Sequence, residues 1–312
     1  MKLLTSFALS ICILLCSLMS ASAQTPSDAM MMKKGEACIA VIYDRGTFDQ
    51  YWEGTYLRSN ETIATVTRVS VGPMIAIGIL DQLNFYVGVP YVKTESSEPN
   101  GGQLQGVKGF QDLSVALKYR VINSDAGSGK LSAYIASGFA FPITNYLSDY
   151  RPYSLGNGTQ ELSLRGIVQY RLNMGLYVRA MGGHLFRGQT QAERDYYYNN
   201  GSYYTRWMDV PSAWEYNAVV GFWLFDNALK IEGSYYKLES TSGDDIRKYN
   251  AAQPTNRVIF DQVGVSAQYF SKQIKGVGLL AYYNQMLNGR NIGKVSAFGV
   301  GATYQFSFLS GK

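Results

Sequence analysis

Side chains able to carry out catalysis are scarce in this chain. His184 is the only histidine among 312 residues. Phe186 occupies the position two residues later, where a serine could share a strand face with the imidazole. No acidic residue is near His184 in sequence, so an Asp-His pair is missing as well. The pattern predicts a protein that is not an enzyme.

The ligands of a metal or cofactor site are equally scarce. Cys12 and Cys16 belong to an apolar N-terminal run, which leaves Cys38 as the only other cysteine. One cysteine and one histidine cannot build a conventional zinc site. The run Gly127-Ser128-Gly129-Lys130 lacks both the leading glycine and the following Ser or Thr of a phosphate loop. We therefore predict no cofactor and no metal.

Charged residues recur at alternate positions of several segments, opposite a row of apolar residues. Lys118, for example, lies between Leu117 and Tyr119. In a β-strand this alternation places the charges on one face. The candidate lining or permeation residues are Arg68, Asp112, Lys118, Arg120, Glu161, Arg165, Arg179, Lys230 and Glu232, and Glu215 shares their parity. Two interpretations are open: a structural network that fills an interior, and a conduction path.

A tyrosine-rich stretch forms a second candidate site. Clustered tyrosines can stack on sugars or flat ligands, or they can pack on one another in a loop that touches lipopolysaccharide. The candidate ligand contacts are Tyr196, Tyr197, Tyr198, Tyr203 and Tyr204. Phe48, Tyr51 and Trp52 in an earlier loop invite the same two interpretations.

The elements that carry these residues have the period of strands. Phe298, Val300 and Tyr304 alternate with small or polar residues up to the C-terminus. The longest apolar stretch after residue 23, from Val69 to Leu80, is shorter than the roughly 20 residues of a membrane-spanning helix. We expect about twelve strands, near 37–45, 63–78, 83–93, 111–123, 130–142, 159–171, 175–187, 212–225, 228–239, 256–270, 276–288 and 293–308.

Long and short connections alternate along the chain. The segment 188–211 is long, for example, whereas 226–227 is a tight turn. This asymmetry, together with aromatic residues at both ends of the apolar face, is typical of an antiparallel transmembrane β-barrel with short periplasmic turns. We predict an all-β, outer-membrane type barrel with its polar face inside, so that 188–211 lies outside the cell.

The N-terminus has the features of an exported precursor. Lys2 precedes an apolar run from Leu3 to Met19, and Ala21-Ser22-Ala23 provides small residues for cleavage. We expect a signal peptide over 1–23, a periplasmic N-terminal segment over 24–36 and the outer-membrane barrel over 37–312. Cys38 then remains alone, which excludes an intramolecular disulfide.

Turn chemistry predicts two registers. A two-residue loop at 226–227 pairs Leu224 with Leu229. A three-residue turn at 172–174 would make Arg165 and Arg179 diagonal neighbours on the inner face. In a wet lumen these two would form a cationic strip that binds anions; in a plugged lumen an acid such as Glu161 would pair with them.

Two segments resemble a known family. Leu83 to Val92 reads LNFYVGVPYV, and Gly109 to Val121 reads GFQDLSVALKYRV. They resemble the outer-membrane channels of the phenol-degradation meta-pathway family. The residues of this chain that match the motif of that family are Gly109, Asp112, Lys118, Tyr119 and Arg120. Gln111 stands where the motif usually has a glycine. The resemblance implies a non-enzymatic channel that passes hydrophobic or aromatic compounds.

The sequence leaves three functions open. The first is an outer-membrane channel or transporter for small molecules, hydrophobic or aromatic ones included. The second is a structural or adhesive barrel without transport activity, and the third is an outer-membrane enzyme, which the missing catalytic sets disfavour. The expected partners are outer-membrane lipid, lipopolysaccharide and a small-molecule solute. A net charge of +5 is too small to indicate nucleic acid, and the oligomeric state is open.

Overall fold

The barrel wall accounts for most of the structure. The computed structural model describes residues 25–247 and 251–309, and the predicted signal peptide, 1–23, lies outside them. Two wall strands are each interrupted once, so that 12 strands form a sheet of 14 segments. Their bounds are Glu36–Phe48, Val66–Leu80, Leu83–Gly88 with Tyr91–Asn100, Leu104–Phe110 with Asp112–Ala126, Gly129–Pro142, Glu161–Leu172, Leu176–Arg187, Ala213–Leu224, Leu229–Ser240, Ile259–Phe270, Val277–Arg290 and Ser296–Ser307.

The sheet closes on itself through its first strand. Ala37 lies opposite Phe306 of the last strand and opposite Ile77 of the second strand. Every pairing in the wall is antiparallel. Closure satisfies the backbone groups that an open edge would leave unpaired in lipid. The predicted closed, antiparallel barrel is thus confirmed.

The apolar face points outward. On the last strand Phe298, Val300 and Tyr304 are exposed, whereas Thr303 and Gln305 are buried inside. A soluble barrel would bury the apolar row, so this surface is the one that lipid covers in an outer-membrane type barrel. Among the described residues, no helix is long and apolar enough to cross a membrane.

One of the two predicted turn registers is right. Leu224 lies opposite Leu229, as predicted. At the other turn Arg165 lies opposite Gly183, and Arg179 lies opposite Gln169, so the predicted diagonal neighbourhood of Arg165 and Arg179 is wrong. The cause is Gly175, which has φ = 101° and donates its N–H to the Leu172 carbonyl at 2.9 Å, so that it belongs to the turn. The register moves by an even number of residues, which keeps each side chain on its predicted face.

The strand that begins at residue 83 is longer and less regular than predicted. It breaks after Gly88, resumes at Tyr91 and continues to Asn100, so most of the segment between the predicted strands 83–93 and 111–123 is paired strand. Pro90 explains the break, since proline has no N–H to donate to a neighbouring strand. Its carbonyl still accepts a bond from the Gln111 N–H at 3.0 Å.

Candidate functional site

Residues 25–34, here called the lumen segment, lie inside the barrel. The expected place of this part of the chain was the periplasm. Instead, the Lys118 ammonium, on the inner face of the strand Asp112–Ala126, donates to the Thr25 carbonyl at 2.8 Å and to the Asp28 carbonyl at 3.2 Å. The Tyr134 hydroxyl donates to the Ala29 carbonyl at 2.8 Å. The lumen segment therefore occupies space that a solute would need.

An ion pair holds the lumen segment to the wall. Lys118 Nζ lies 2.9 Å from Asp28 Oδ1, and the lysine side chain is fully buried. The Tyr86 ring lies under the same ammonium, 5.1 Å from Nζ to the ring centroid. A buried ammonium needs such partners, because an unpaired charge in the interior is costly.

The segment also has a local structure of its own. The Asp28 carboxylate accepts bonds from the Thr25 hydroxyl at 3.1 Å and from the Met30 N–H at 2.8 Å, an arrangement that fixes a tight turn. Met31 packs on the cluster formed by Tyr134, Ile167 and Met181. Met31 thus packs the lumen segment against apolar side chains of the inner wall.

The lumen segment is anchored where it leaves the barrel at the short-turn end. The Lys34 N–H donates to Asp81 Oδ1 at 2.9 Å, and the Gly35 N–H donates to the Gly78 carbonyl at 3.0 Å. A Cβ at Gly78 would collide with the Lys33 carbonyl, so glycine is required for this close approach. The chain then enters the first wall strand at Glu36.

Two inner-face arginines on neighbouring strands are each paired with a carboxylate. Arg165 Nε lies 2.6 Å from Glu215 Oε1, and Arg179 Nη1 lies 2.9 Å from Glu232 Oε1. Glu232 also accepts a bond from the Tyr177 hydroxyl at 2.7 Å. The predicted cationic strip is not formed, because each arginine faces a carboxylate. This arrangement corresponds to the plugged interpretation, with Glu215 and Glu232 in the role given to Glu161.

The other predicted lining residues are spread along the barrel. Glu161 pairs with Arg187 at 2.7 Å near the long loops, and the Tyr146 hydroxyl donates to Asp112. At the opposite end Arg120 donates to the Asp81 carbonyl at 3.1 Å. Lys230 Nζ lies 3.5 Å from Glu232 Oε2. Arg68 donates to Gln111 Oε1 and to the Leu155 carbonyl, each at 2.9 Å.

A cavity of about 510 Å³, here called the loop cavity, lies at the long-loop end. Every connection at this end contributes lining residues, from Phe48 and Tyr51 in the first connection to Ile292 in the last connection. A volume of this size is in the range of small-molecule sites. A second cavity, of about 360 Å³, lies between the lumen segment and the inner wall, where Pro26 and Ser27 face the Arg165–Glu215 pair.

The tyrosine loop packs on itself. Tyr197 and Tyr203 lie opposite one another in a short hairpin, with stacked rings whose centroids are 5.1 Å apart. Tyr196 contacts Tyr204 at the same centroid distance. The Tyr198 carbonyl accepts a bond from Gln253 at 2.6 Å. The loop holds its own aromatic surface together, and Tyr204 remains the most exposed of the set.

His184 lies on the outer face of the wall. Its ring contacts the rings of Phe186 and Trp214, with centroid distances of 4.3 Å and 4.5 Å. These neighbours are typical of a side chain in the aromatic belt of a membrane barrel, at the level of the lipid headgroups.

Sequence reasoning missed two residues of this site. Asp28 is the first acidic residue after the predicted cleavage site, and the charge of Lys118 on an inner face was a signal that a counter-charge was needed. Arg151 lines the loop cavity, but it belongs to a long connection without periodicity, so no pattern could place it.

Comparisons with known proteins bear on the fold. No protein-family model matches this chain. No curated protein matches it either.

Among solved structures, the chain is similar to the COG4313 outer-membrane channel from Pseudomonas putida F1. The two share 13% sequence identity with a TM-score of 0.72, over 91% of this chain and 100% of that one. The NanC porin (8% identity, 84% of this chain and 98% of that one, TM-score 0.48) and the translocator domain of the autotransporter NalP from Neisseria meningitidis (14%, 86% and 88%, 0.45) score lower. The chain thus has the fold of an outer-membrane β-barrel channel.

Proposed function

We propose that this protein is an outer-membrane channel for small molecules, hydrophobic or aromatic ones included, and that it performs no enzymatic step. The observation that carries the proposal is that the barrel has both a loop cavity at one mouth and a lumen segment bound inside it. A mostly apolar cavity at one mouth offers a place of entry. A separate chain segment, held by a small set of polar contacts, closes the path beyond it.

The physical need for such a path is clear. Lipopolysaccharide is a poor solvent for apolar molecules, and a protein cavity lined by residues such as Phe48, Ile63 and Val258 offers them a better environment. The lumen segment belongs to no wall strand, so its release would not break the barrel ladder. Channel opening would then be movement of residues 25–34 away from Lys118.

The finer family assignment is part of the proposal. The segments LNFYVGVPYV and GFQDLSVALKYRV support membership of the phenol-degradation meta-pathway channels, and the fold shared with the outer-membrane channel from Pseudomonas putida F1 is consistent with it. Under this assignment the long loops face the exterior, the short turns face the periplasm, and lipid and lipopolysaccharide surround the wall.

A barrel without transport activity is the second candidate. The observation that favours it is the filled lumen, in which Lys118, Arg165 and Arg179 each meet a carboxylate. The two candidates differ in whether the lumen segment ever leaves its position.

Uptake of the apolar fluorophore N-phenyl-1-naphthylamine by intact Gram-negative cells tests the proposal. Cells that express the wild type should take up the probe several-fold faster than cells with an empty vector. Lys118→Met should increase the rate further, because it removes the ammonium that binds the lumen segment. Lys237→Met is the matched control, since Lys237 pairs with Glu239 on a partly exposed part of the wall. Rates equal to those of empty-vector cells for all three proteins, at equal amounts in the outer membrane, would instead support the non-transporting barrel.

A further inference from the structure

Arginines provide the charge of the loop cavity. Arg151 and Arg187 line it, and no aspartate or glutamate is among its described lining residues. Most of the remaining lining is apolar, as in Ile63, Val210 and Ile246. The cavity therefore combines a mostly apolar lining with positively charged guanidinium groups.

Arg151 is the cation without an acidic partner. Its Nε donates to the Ser148 carbonyl at 3.2 Å, and its Nη2 donates to Asn157 Oδ1 at 2.7 Å. Both acceptors are neutral, and no described carboxylate lies within salt-bridge distance of this guanidinium. Arg187, in contrast, has its charge met by Glu161 at 2.7 Å.

The surroundings of Arg151 make an anion favourable there. Burial lowers the pKa of Arg151 to about 10; Arg68 and Arg187 act in the same direction, whereas Tyr146 and Asp149 act against it. Arg68, too, is bound by neutral groups, the Gln111 side chain and the Leu155 carbonyl. A guanidinium remains charged even so. Arg151 thus brings a positive charge with no bonded carboxylate to one side of a largely apolar cavity, and a carboxylate placed beside it would stabilise that charge.

We propose that the loop cavity binds an amphiphile with one small anionic headgroup, whose headgroup contacts Arg151 and whose apolar chain lies along the cavity. A medium-chain carboxylate has this chemistry. Guanidinium groups bind carboxylates through two parallel hydrogen bonds, and the apolar lining buries the chain. The inference rests on the proposed function, because it names the solute class that the mouth of the channel would select.

Calorimetric titration of octanoate and 1-octanol into the full chain in lipid nanodiscs tests the inference, with the heat of empty nanodiscs subtracted. The wild type should bind octanoate at least tenfold more tightly than 1-octanol. Arg151→Gln should lose this preference while still binding 1-octanol. Arg206→Gln is the control, since Arg206 is an exposed loop arginine that pairs with Asp195, and it should retain the preference.

The salt dependence of the wild type provides a readout without any variant. Octanoate binding should weaken several-fold between 50 mM and 500 mM salt, because salt screens the attraction between the carboxylate and Arg151 in a partly open site. Binding of the uncharged 1-octanol should not weaken. Folding of each variant is checked by the difference in gel migration between boiled and unboiled samples.

Two results would overturn the inference: equal affinity for octanoate and 1-octanol in the wild type, or an unchanged preference for octanoate in folded Arg151→Gln. If the fluorophore uptake persists, the proposed function remains. Absence of binding of both ligands together with absence of uptake would remove the proposed function itself. These two failures are therefore distinguishable.

Discussion

Lys118 and Asp28 form an ion pair in the middle of the barrel, with Nζ and Oδ1 2.9 Å apart. One partner belongs to the wall and the other to a segment that precedes the first strand. Because the lysine is fully buried, the pair is a structural link between a fixed element and a separable one. Removal of either partner should therefore affect closure more than it affects the barrel.

The first prediction concerns the coupling of these two residues. Lys118→Met leaves the Asp28 carboxylate buried without its closest cation, which usually costs about 3–5 kcal/mol. Release of the lumen segment into water limits that cost, so the loss in free energy of unfolding should be smaller than this range. In a double-mutant cycle with Asp28→Asn, urea unfolding should give a favourable coupling of about 1 kcal/mol or more. Additive losses in the cycle would indicate that the pair does not hold the segment.

The second prediction concerns the inner-face arginines. Replacement of Arg165 and Arg179 by Gln leaves Glu215 without its ionic partner and leaves Glu232 with Lys230 alone, at 3.5 Å. The free energy of unfolding should fall by about 1.5–3 kcal/mol for each pair, the usual value of a hydrogen bond to a charged group. The conductance of the double variant in planar bilayers should remain close to that of the wild type. A stable double variant with selectivity shifted towards cations would show instead that these arginines line an open path.

The period-two pattern was sufficient to predict the closed wall, because strands of a barrel obey one geometric rule along their whole length. Phe298 and Thr303 point to their predicted faces for this reason. The pairing Leu224–Leu229 follows from loop length alone. The register near Gly175 does not follow from loop length, since it depends on which residue of the turn adopts the positive φ.

The site was less predictable than the wall. Lys118, Arg165 and Arg179 lie on the inner face as expected, but their partners come from other strands or from the lumen segment. Contacts between positions far apart in sequence leave no periodic signal. Arg151 illustrates the same limit, since only the folded loops bring it to the cavity that Phe48 also lines.

The third prediction concerns orientation. Single cysteines are introduced at Asn200 and Asn227 in a chain in which Cys38 is replaced by Ser. An impermeant thiol reagent applied to intact cells should label position 200, in a long connection, and not position 227, in a tight turn. Labelling at 227 alone would invert the topology.

The fourth prediction concerns pH and a long loop. The Arg290 guanidinium donates to both carboxylate oxygens of Asp245 at 2.7 Å, and Asn291 donates to Oδ1 at 2.9 Å. These bonds lower the pKa of Asp245 below its ordinary value of 3.8. A lowered pKa means that the stabilisation is present above pH 3.8 and is lost as the pH falls through the folded-state pKa.

Hydrogen exchange of residues 241–247, corrected for the intrinsic rate, should therefore stay slow down to about pH 4 and become faster below it. Asp245→Asn should show the fast exchange at neutral pH. Asp226→Asn, which affects an exposed carboxylate in a tight turn, should leave the loop unchanged. Exchange in wild type that is independent of pH over this range would contradict the assignment.

Planar-bilayer conductance of the chain that lacks residues 25–34 tests the central claim most directly. The wild type, with its lumen segment bound to Lys118 and Tyr134, should show small, infrequent openings. The shortened barrel should show a stable conductance several-fold larger, and addition of a peptide with the sequence of residues 25–34 should reduce it. Equal conductance of the two proteins, each inserted and heat-modifiable, would contradict the account that this segment closes a channel.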